Sequence, residues 1–181
     1  MLGDLENPSP GSGAEMVRNT LRHPIYVHSK LMVVDDDYIV IGSANINQRS
    51  MAGERDTEIC VGAFQPDHSI SNGLPRGDIH TFRMALWSAH LGGHSDVFEN
   101  PSSAECLMEY VREVTRKFWE LYTAETPVSS DVHLLPYPYI ISETGDVSAL
   151  EGEWSNFPDT MASVLGAKSS VFPGKLGKLT T

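Results

Sequence analysis

Two residues with chemical potential, His28 and Lys30, sit inside the apolar run IYVHSKLMVV at positions that the run itself does not require. On an extended chain, side chains two apart share a face, roughly 6.5–7 Å from one another. A titratable imidazole beside a fixed positive charge suits chemistry on a phosphate. The ammonium can neutralise the anion as a donor, and the imidazole can carry protons near neutral pH or attack phosphorus itself. Farther on, the corner Gly42-Ser43-Ala44-Asn45 offers a hydroxyl and an amide that could donate to phosphate oxygens. Gly42 admits backbone geometry that a side chain would block. The plainer reading of the same corner is a turn with local Ser and Asn hydrogen bonds.

These residues need a frame. Residues 25–34 are rich in β-branched and aromatic side chains, Asp35-Asp36-Asp37 is a turn signal, and 38–42 is a short buried-type apolar run. The spacing predicts two strands joined by an acidic turn, a turn of helix over 46–51, and a third strand over 56–63. On that third strand Ile59 and Val61 share one face, and Asp56, Glu58 and Cys60 share the other. Pro66, Gly73, Pro75 and Gly77 make 65–78 a surface loop. Apolar positions Ile79, Phe82, Leu86 and Leu91 predict a helix over 78–91, ended by Gly92-Gly93. Ser102-x-x-Glu105 reads as a capping box. Behind it Leu107, Val111, Val114, Phe118, Leu121 and Tyr122 recur as the stripe of a core-facing amphipathic helix. Residues 133–150 hold short extended pieces broken by Pro136 and Pro138, and the tail from Trp154 reads as irregular. Residues 1–20 are expected to be a disordered linker and lead-in, the rest one domain.

With 181 residues and 40% hydrophobic content the chain can bury a core. No apolar run approaches the ~18 residues of a membrane span, and the first residues lack a basic start and an apolar stretch, so no secretory signal is expected. Cys60 and Cys106 make no metal pattern and read as reduced, buried thiols. His90 and His94 have the i,i+4 spacing of a helical zinc pair, but Gly92-Gly93 interrupts the helix between them. Net charge is −11, from 24 acidic and 13 basic residues, with no clustered Lys and Arg. That weighs against nucleic acid as partner and against a strong hold on anionic lipid. A cytoplasmic protein with peripheral membrane contact is expected.

The spacing His28-x-Lys30-x4-Asp35, followed by Gly42-Ser43-x-Asn45, resembles the signature of the phospholipase D superfamily. The segments IYVHSK, VVDD, IGSANINQRSM, RDTEI, FPDT, VLG and LTT are similar to plant phospholipases D, from about residue 21 to the end and weakening around 65–78 and 142–156. Plant members are much longer, with a calcium-dependent lipid-binding domain and two copies of the motif. Only the second copy is present in this sequence, so it looks like a C-terminal fragment. The resemblance implies an α/β fold, a mixed β-sheet flanked by helices that forms part of one lobe. It implies His28, Lys30 and Asp35 as catalytic motif residues, and Lys30, Ser43 and Asn45 at the substrate phosphate. Asp35 falls on the opposite face parity from His28 and starts a turn, so capping and loop fixing weigh as much as chemistry. A downstream carboxylate orients the imidazole in family members; here Glu58 matches best, with Asp56 two residues back and Arg55 as a partner for either. Gln48 and Arg49 belong to the shared stretch without an assigned role.

The implied activity is hydrolysis of phosphatidylcholine-type lipids to phosphatidic acid and free headgroup through a phosphohistidine on the absent N-terminal half. No cofactor is implied for this chain, and calcium dependence is attributed to other parts of the longer enzyme. Two other readings stay open: a single-motif phosphodiesterase or nuclease completed by homodimerisation, and a catalytically incomplete interaction module.

Overall fold

The computed structural model describes residues 7–23, 25–65, 70–71, 74–75, 77–150, 156–159 and 162–165. Most of the C-terminal tail expected to be irregular, including the LTT segment, lies outside these residues.

An antiparallel three-stranded sheet, β1 (Leu31–Val34), β2 (Tyr38–Gly42) and β3 (Cys60–Phe64), is the frame of the molecule. Its register pairs Leu31 with Ile41 and Gly42 with Cys60. The acidic turn forms as expected: Asp35 and Asp36 have φ of 52° and 59°, and the Asp37 amide donates to the Val34 carbonyl at 3.2 Å. Positive φ at both central positions is the twist that suits a tight hairpin, and Asp tolerates it better than most residues.

Both flanking strands are shorter than the apolar runs suggested. Residues 25–30 precede β1, and 56–59 precede β3, outside the ladder. The cause is β2, which stops at Gly42 where the chain turns into the Ser-Ala-Asn corner, leaving its neighbours without a partner. One bond continues on each side: Gly42 N–H to Lys30 O at 3.3 Å and Ser43 N–H to Ile59 O at 2.9 Å. A Cβ on Gly42 would lie 2.6 Å from both the Cys60 Cβ and the Ile59 carbonyl, so only glycine lets the strands close at this point.

Helix α1 (Gly13–Thr20) occupies part of the stretch expected to be disordered. Its start is a capping arrangement hidden in polar composition: the Glu15 amide donates to Ser12 Oγ at 3.2 Å, while the Glu15 carboxylate accepts from the Gly11 amide at 2.6 Å. After a short helix α2 (Gln48–Met51), capped by the Asn47 side chain, the 65–78 region carries a small hairpin of β4 (Ile70–Ser71) and β5 (Leu74–Pro75).

Helix α3 (Asp78–His90) buries Ile79, His80, Arg83 and Met84, whereas Phe82, expected to face inward, is exposed. A 3₁₀ turn, Asp96–Glu99, then inserts Phe98, wholly buried between the rings of Trp87 and Tyr110. Two such edge-on aromatic pairs add about 0.5–1.5 kcal/mol each beyond area burial. Met84, Leu91, Phe98 and Cys106 form the core.

The last long helix begins as a π-helical segment, Glu105–Val111, and continues as α4, Arg112–Thr123. Its cap is Ser103, whose hydroxyl accepts from the Cys106 amide at 3.0 Å, rather than the Ser102–Glu105 box. The wider π turn rotates the apolar stripe: Cys106 turns inward, and Leu107 and Met108 turn outward. Cys106 is buried as expected, with burial raising its thiol pKa, but Cys60 is exposed on β3. A last hairpin, β6 (Tyr139–Ile141) and β7 (Val147–Ala149), fills the 133–150 region. The α/β class holds, and every strand pairing among the described residues is antiparallel where a mixed sheet was expected.

Candidate active site

The antiparallel register brings three chain segments to one end of the sheet: the residues entering β1, those leaving β2, and those entering β3. His28 and Lys30, Ser43 and Asn45, and Asp56 and Glu58 therefore line a single cleft of about 380 Å³, together with Tyr26, Asn47, Arg49 and Ser50. Sequence spacing placed His28 and Lys30 on one side, and the structure does so without a strand. Lys30 Nζ lies 2.9 Å from His28 Nε2 and donates to the His28 carbonyl at 2.7 Å. An ammonium can only donate, so the ring nitrogen that meets it presents a lone pair. Lys30 is half-buried and His28 exposed.

Asp35 stands apart. It occupies the hairpin turn and belongs to a different hollow, with Asp36 and Arg83. It touches none of the cleft residues in any hydrogen bond or ion pair among the described residues, and its position is that of a turn former.

Glu58 holds the corner together. Its carboxylate accepts Ser43 Oγ at 2.5 Å on one oxygen and Ser50 Oγ at 2.7 Å on the other. These two hydroxyls, the Ser43 bond foremost, draw the Glu58 pKa below the usual carboxylate range. Ser43 Oγ also accepts the Ile59 amide at 3.0 Å, and Ser50 Oγ accepts the Asn45 amide at 3.2 Å. The Asn45 side chain is left on the cleft wall. No bond runs from Glu58 to His28 among the described residues; the ring partners of His28 are Lys30 Nζ and, at 5.8 Å between centroids, Tyr26.

Asp56 pairs with Arg49, not with Arg55: Arg49 Nε stands 2.7 Å from Oδ1 and 2.6 Å from Oδ2. The pair is exposed, and it raises the Arg49 pKa chiefly through the hydrogen bond to Asp56. Sequence reasoning left Arg49 and Ser50 without a role. The one available signal was Asn47 three residues ahead of Ser50, the spacing of a helix cap, which fixes where α2 points its hydroxyl.

Among the described residues no group of three or more His, Cys, Asp or Glu could hold an ion. His94 faces Asp96 at 3.4 Å, and His90 meets the His133 ring edge-on. No helix among the described residues is long and apolar enough to cross a membrane.

The arrangement is therefore a cation, an imidazole lone pair, a hydroxyl and an amide converging on an open cleft, a set suited to a phosphate group. A family model described as phospholipase D matches residues 2–166. The chain is 49% identical over 170 residues to phospholipase D alpha 1 of Zea mays, 49% to that of Ricinus communis and 50% to that of Carica papaya. Each alignment covers 93% of this chain and 21% of the relative. The chain thus spans about a fifth of the length of the curated relatives it matches.

Proposed function

The chain belongs to the phospholipase D family, and from that premise we propose that its His28–Lys30 end is one of two half-sites of a phosphodiesterase acting on phosphatidylcholine-type glycerophospholipids. The observation that carries this is the Lys30 ammonium set 2.9 Å from His28 Nε2, in a cleft shared with Ser43 and Asn45. A nucleophilic histidine on the other half-site attacks phosphorus and forms a phosphohistidine. His28 enters this step as the imidazolium and gives its proton to the departing headgroup alcohol. The neutral ring, with the lone pair seen in the structure, then takes a proton from the water that hydrolyses the intermediate, leaving phosphatidic acid and the imidazolium restored. Lys30 and Asn45 neutralise charge on the phosphoryl oxygens. Ser43 is engaged with Glu58, so it acts on the phosphate by shaping the corner and, on exchange of its donor bond, directly. Glu58 orients this corner, and Asp56 fixes Arg49 beside it. Asp35 contributes through the turn.

Every step above uses this chain's own side chains or the partner histidine. The protein meets lipid peripherally, and with a net charge of −11 it does so without a broad basic surface. The test is to combine the chain with a half-site bearing the other motif and measure choline release from phosphatidylcholine. Turnover is expected only in the combination, and His28→Ala or Lys30→Ala is expected to lower it at least about a thousandfold. Turnover by the monomeric chain alone overturns the proposal, and turnover by a homodimer transfers it to the single-motif reading.

A further inference from the structure

His28, Lys30 and Ser43 form a wall common to two different hollows. On one side is the polar cleft, whose far lining includes Asn45, Arg49, Asp56 and Glu58. On the other is a hollow of about 410 Å³ whose remaining lining is mainly apolar: Leu31, Ile41, Phe82 and Leu86. Leu31 and Leu86 also line a third hollow, of about 640 Å³, which extends past Trp87 to the Asp36–Arg83 pair. A short apolar path over Leu31, Ile41, Phe82 and Leu86 therefore leads away from the His28–Lys30 pair beside α3, and it ends at the third hollow, whose lining also carries Asp35, Glu99, Asn100 and Ser102.

Core packing does not account for that path. Helix α3 gives His80, Arg83 and Met84 to the interior, yet it also carries Phe82 and Leu86, one turn apart, on its groove side. Phe82 is 41% exposed and Ile41 is 48% exposed. Leaving large apolar side chains open at the rim of a polar site gains nothing for this fold by itself.

We infer that the groove over Phe82 and Leu86 takes an acyl chain of the phosphodiester substrate, so that its headgroup lies on the Asn45–Glu58 side. The inference rests on the function proposed above and adds an orientation to it. The two ester oxygens of a phosphodiester point apart, so a phosphate held at Lys30 sends one arm into each hollow. For an amphiphile the two arms differ in polarity, as the hollows do. The reverse orientation would set hydrocarbon against Arg49, Asp56 and Glu58 and strip water from charged groups.

The test uses this chain and soluble ligands below their aggregation limit: glycerophosphocholine, dibutyroyl-phosphatidylcholine and dihexanoyl-phosphatidylcholine. Binding is followed by calorimetry, with Trp fluorescence as a second readout. Burying a methylene adds up to about fourfold in affinity, and an open groove should give about two- to fourfold for each. Phe82→Asp and, separately, Leu86→Asp should flatten this slope, with circular dichroism confirming the fold of each. No dependence on chain length in the wild-type chain overturns the inference, as does a slope that survives both substitutions. A flat slope together with a Phe82→Asp change in oligomeric state on gel filtration also overturns it, assigning the face to a second copy. Lys30→Met separates the two layers of argument. A preserved slope with unweakened glycerophosphocholine binding leaves the groove standing and refutes the phosphate role of Lys30.

Discussion

Arg83 clasps Asp36 with two nitrogens, Nε to Oδ1 at 2.8 Å and Nη2 to Oδ2 at 2.7 Å, in a pair whose side chains are only 7% and 6% exposed. The same guanidinium donates to the Phe98 carbonyl at 2.6 Å and lies 5.2 Å from the Trp87 ring centroid. One side chain thus ties the hairpin turn that follows the His-x-Lys segment to α3 and to the buried 3₁₀ turn. Among the described residues, the side chain of this acidic turn that takes a tertiary partner is that of Asp36, next to the Asp35 of the family motif.

Removing one member of such a pair leaves the other buried and uncompensated, a loss of about 3–5 kcal/mol. Arg83→Met is therefore expected to destabilise the chain by that order, and Asp35→Asn by much less, because no tertiary partner is lost. Chemical unfolding of both variants checks this; equal losses would contradict the assignment of the structural role to Asp36.

Glu58 offers a pH test. Its pKa is held low in the fold by the Ser43 and Ser50 hydroxyls. A carboxylate depressed on folding contributes stability that is present above its unfolded pKa and is lost as pH falls through the folded value. Ser50→Ala and Ser43→Ala should each raise the Glu58 pKa toward the ordinary carboxylate range, seen in a carboxyl carbon NMR titration. They should also move the acid limb of the stability profile upward in pH. An unchanged Glu58 titration in both variants would break the link between these hydroxyls and the carboxylate.

Much of this architecture was legible because it depends on local rules. The acidic turn, the turn of helix after Asn47 and the convergence of His28 with Lys30 follow from residue type and spacing. What was not legible depends on partners distant in sequence. Strand lengths were overread because β2 ends at Gly42, which removes a ladder that apolar content alone cannot reveal. The stripe through Leu107 and Leu121 assumed a 3.6-residue turn, and the π-helical segment rotated it. Arg49 takes Asp56 because α2 starts at Asn47 and aims Arg49 at the segment before β3, whereas adjacency had suggested Arg55. The Ser12–Glu15 cap was visible in the sequence but lay within polar composition that reads as a linker.

Arg22 carries a further stability prediction. Its Nη2 donates to the Tyr122 and Ala124 carbonyls at 2.6 and 2.7 Å, and its guanidinium lies over the Tyr122 ring at 5.8 Å. It closes the C-terminal end of α4, where carbonyls lack partners within the helix, and it anchors the lead-in to the His28 segment. Arg22→Ala should cost about 2 kcal/mol. Arg22→Lys should restore only part of it, because an ammonium cannot reproduce the planar fork. Thermal melts of the two variants decide it, and full recovery by Lys would argue that charge alone matters.

Gly42 on β2 lies opposite Cys60, and Gly62 on β3 lies opposite Val40 two pairs along the same ladder; together they separate backbone from side-chain crowding. A methyl at Gly42 meets the Cys60 Cβ and the Ile59 carbonyl at 2.6 Å, neither of which can move without opening the sheet. A methyl at Gly62 meets the Tyr38 hydroxyl at 2.8 Å, the far end of a ring that can swing aside. Gly42→Ala should therefore cost at least about 1–3 kcal/mol, the range for overpacking, with Gly62→Ala at or below its lower end. The two should also differ at the site. Parting Gly42 from Cys60 pulls Ser43 away from Glu58, so the Ser43 and Ile59 amide resonances and the Glu58 titration should shift in Gly42→Ala and stay in place in Gly62→Ala. Equal stability losses with an undisturbed Glu58 in both would mean that the strand ends are loose enough to absorb a methyl. In that case the close approach at Gly42 could not be what sets the corner of the cleft.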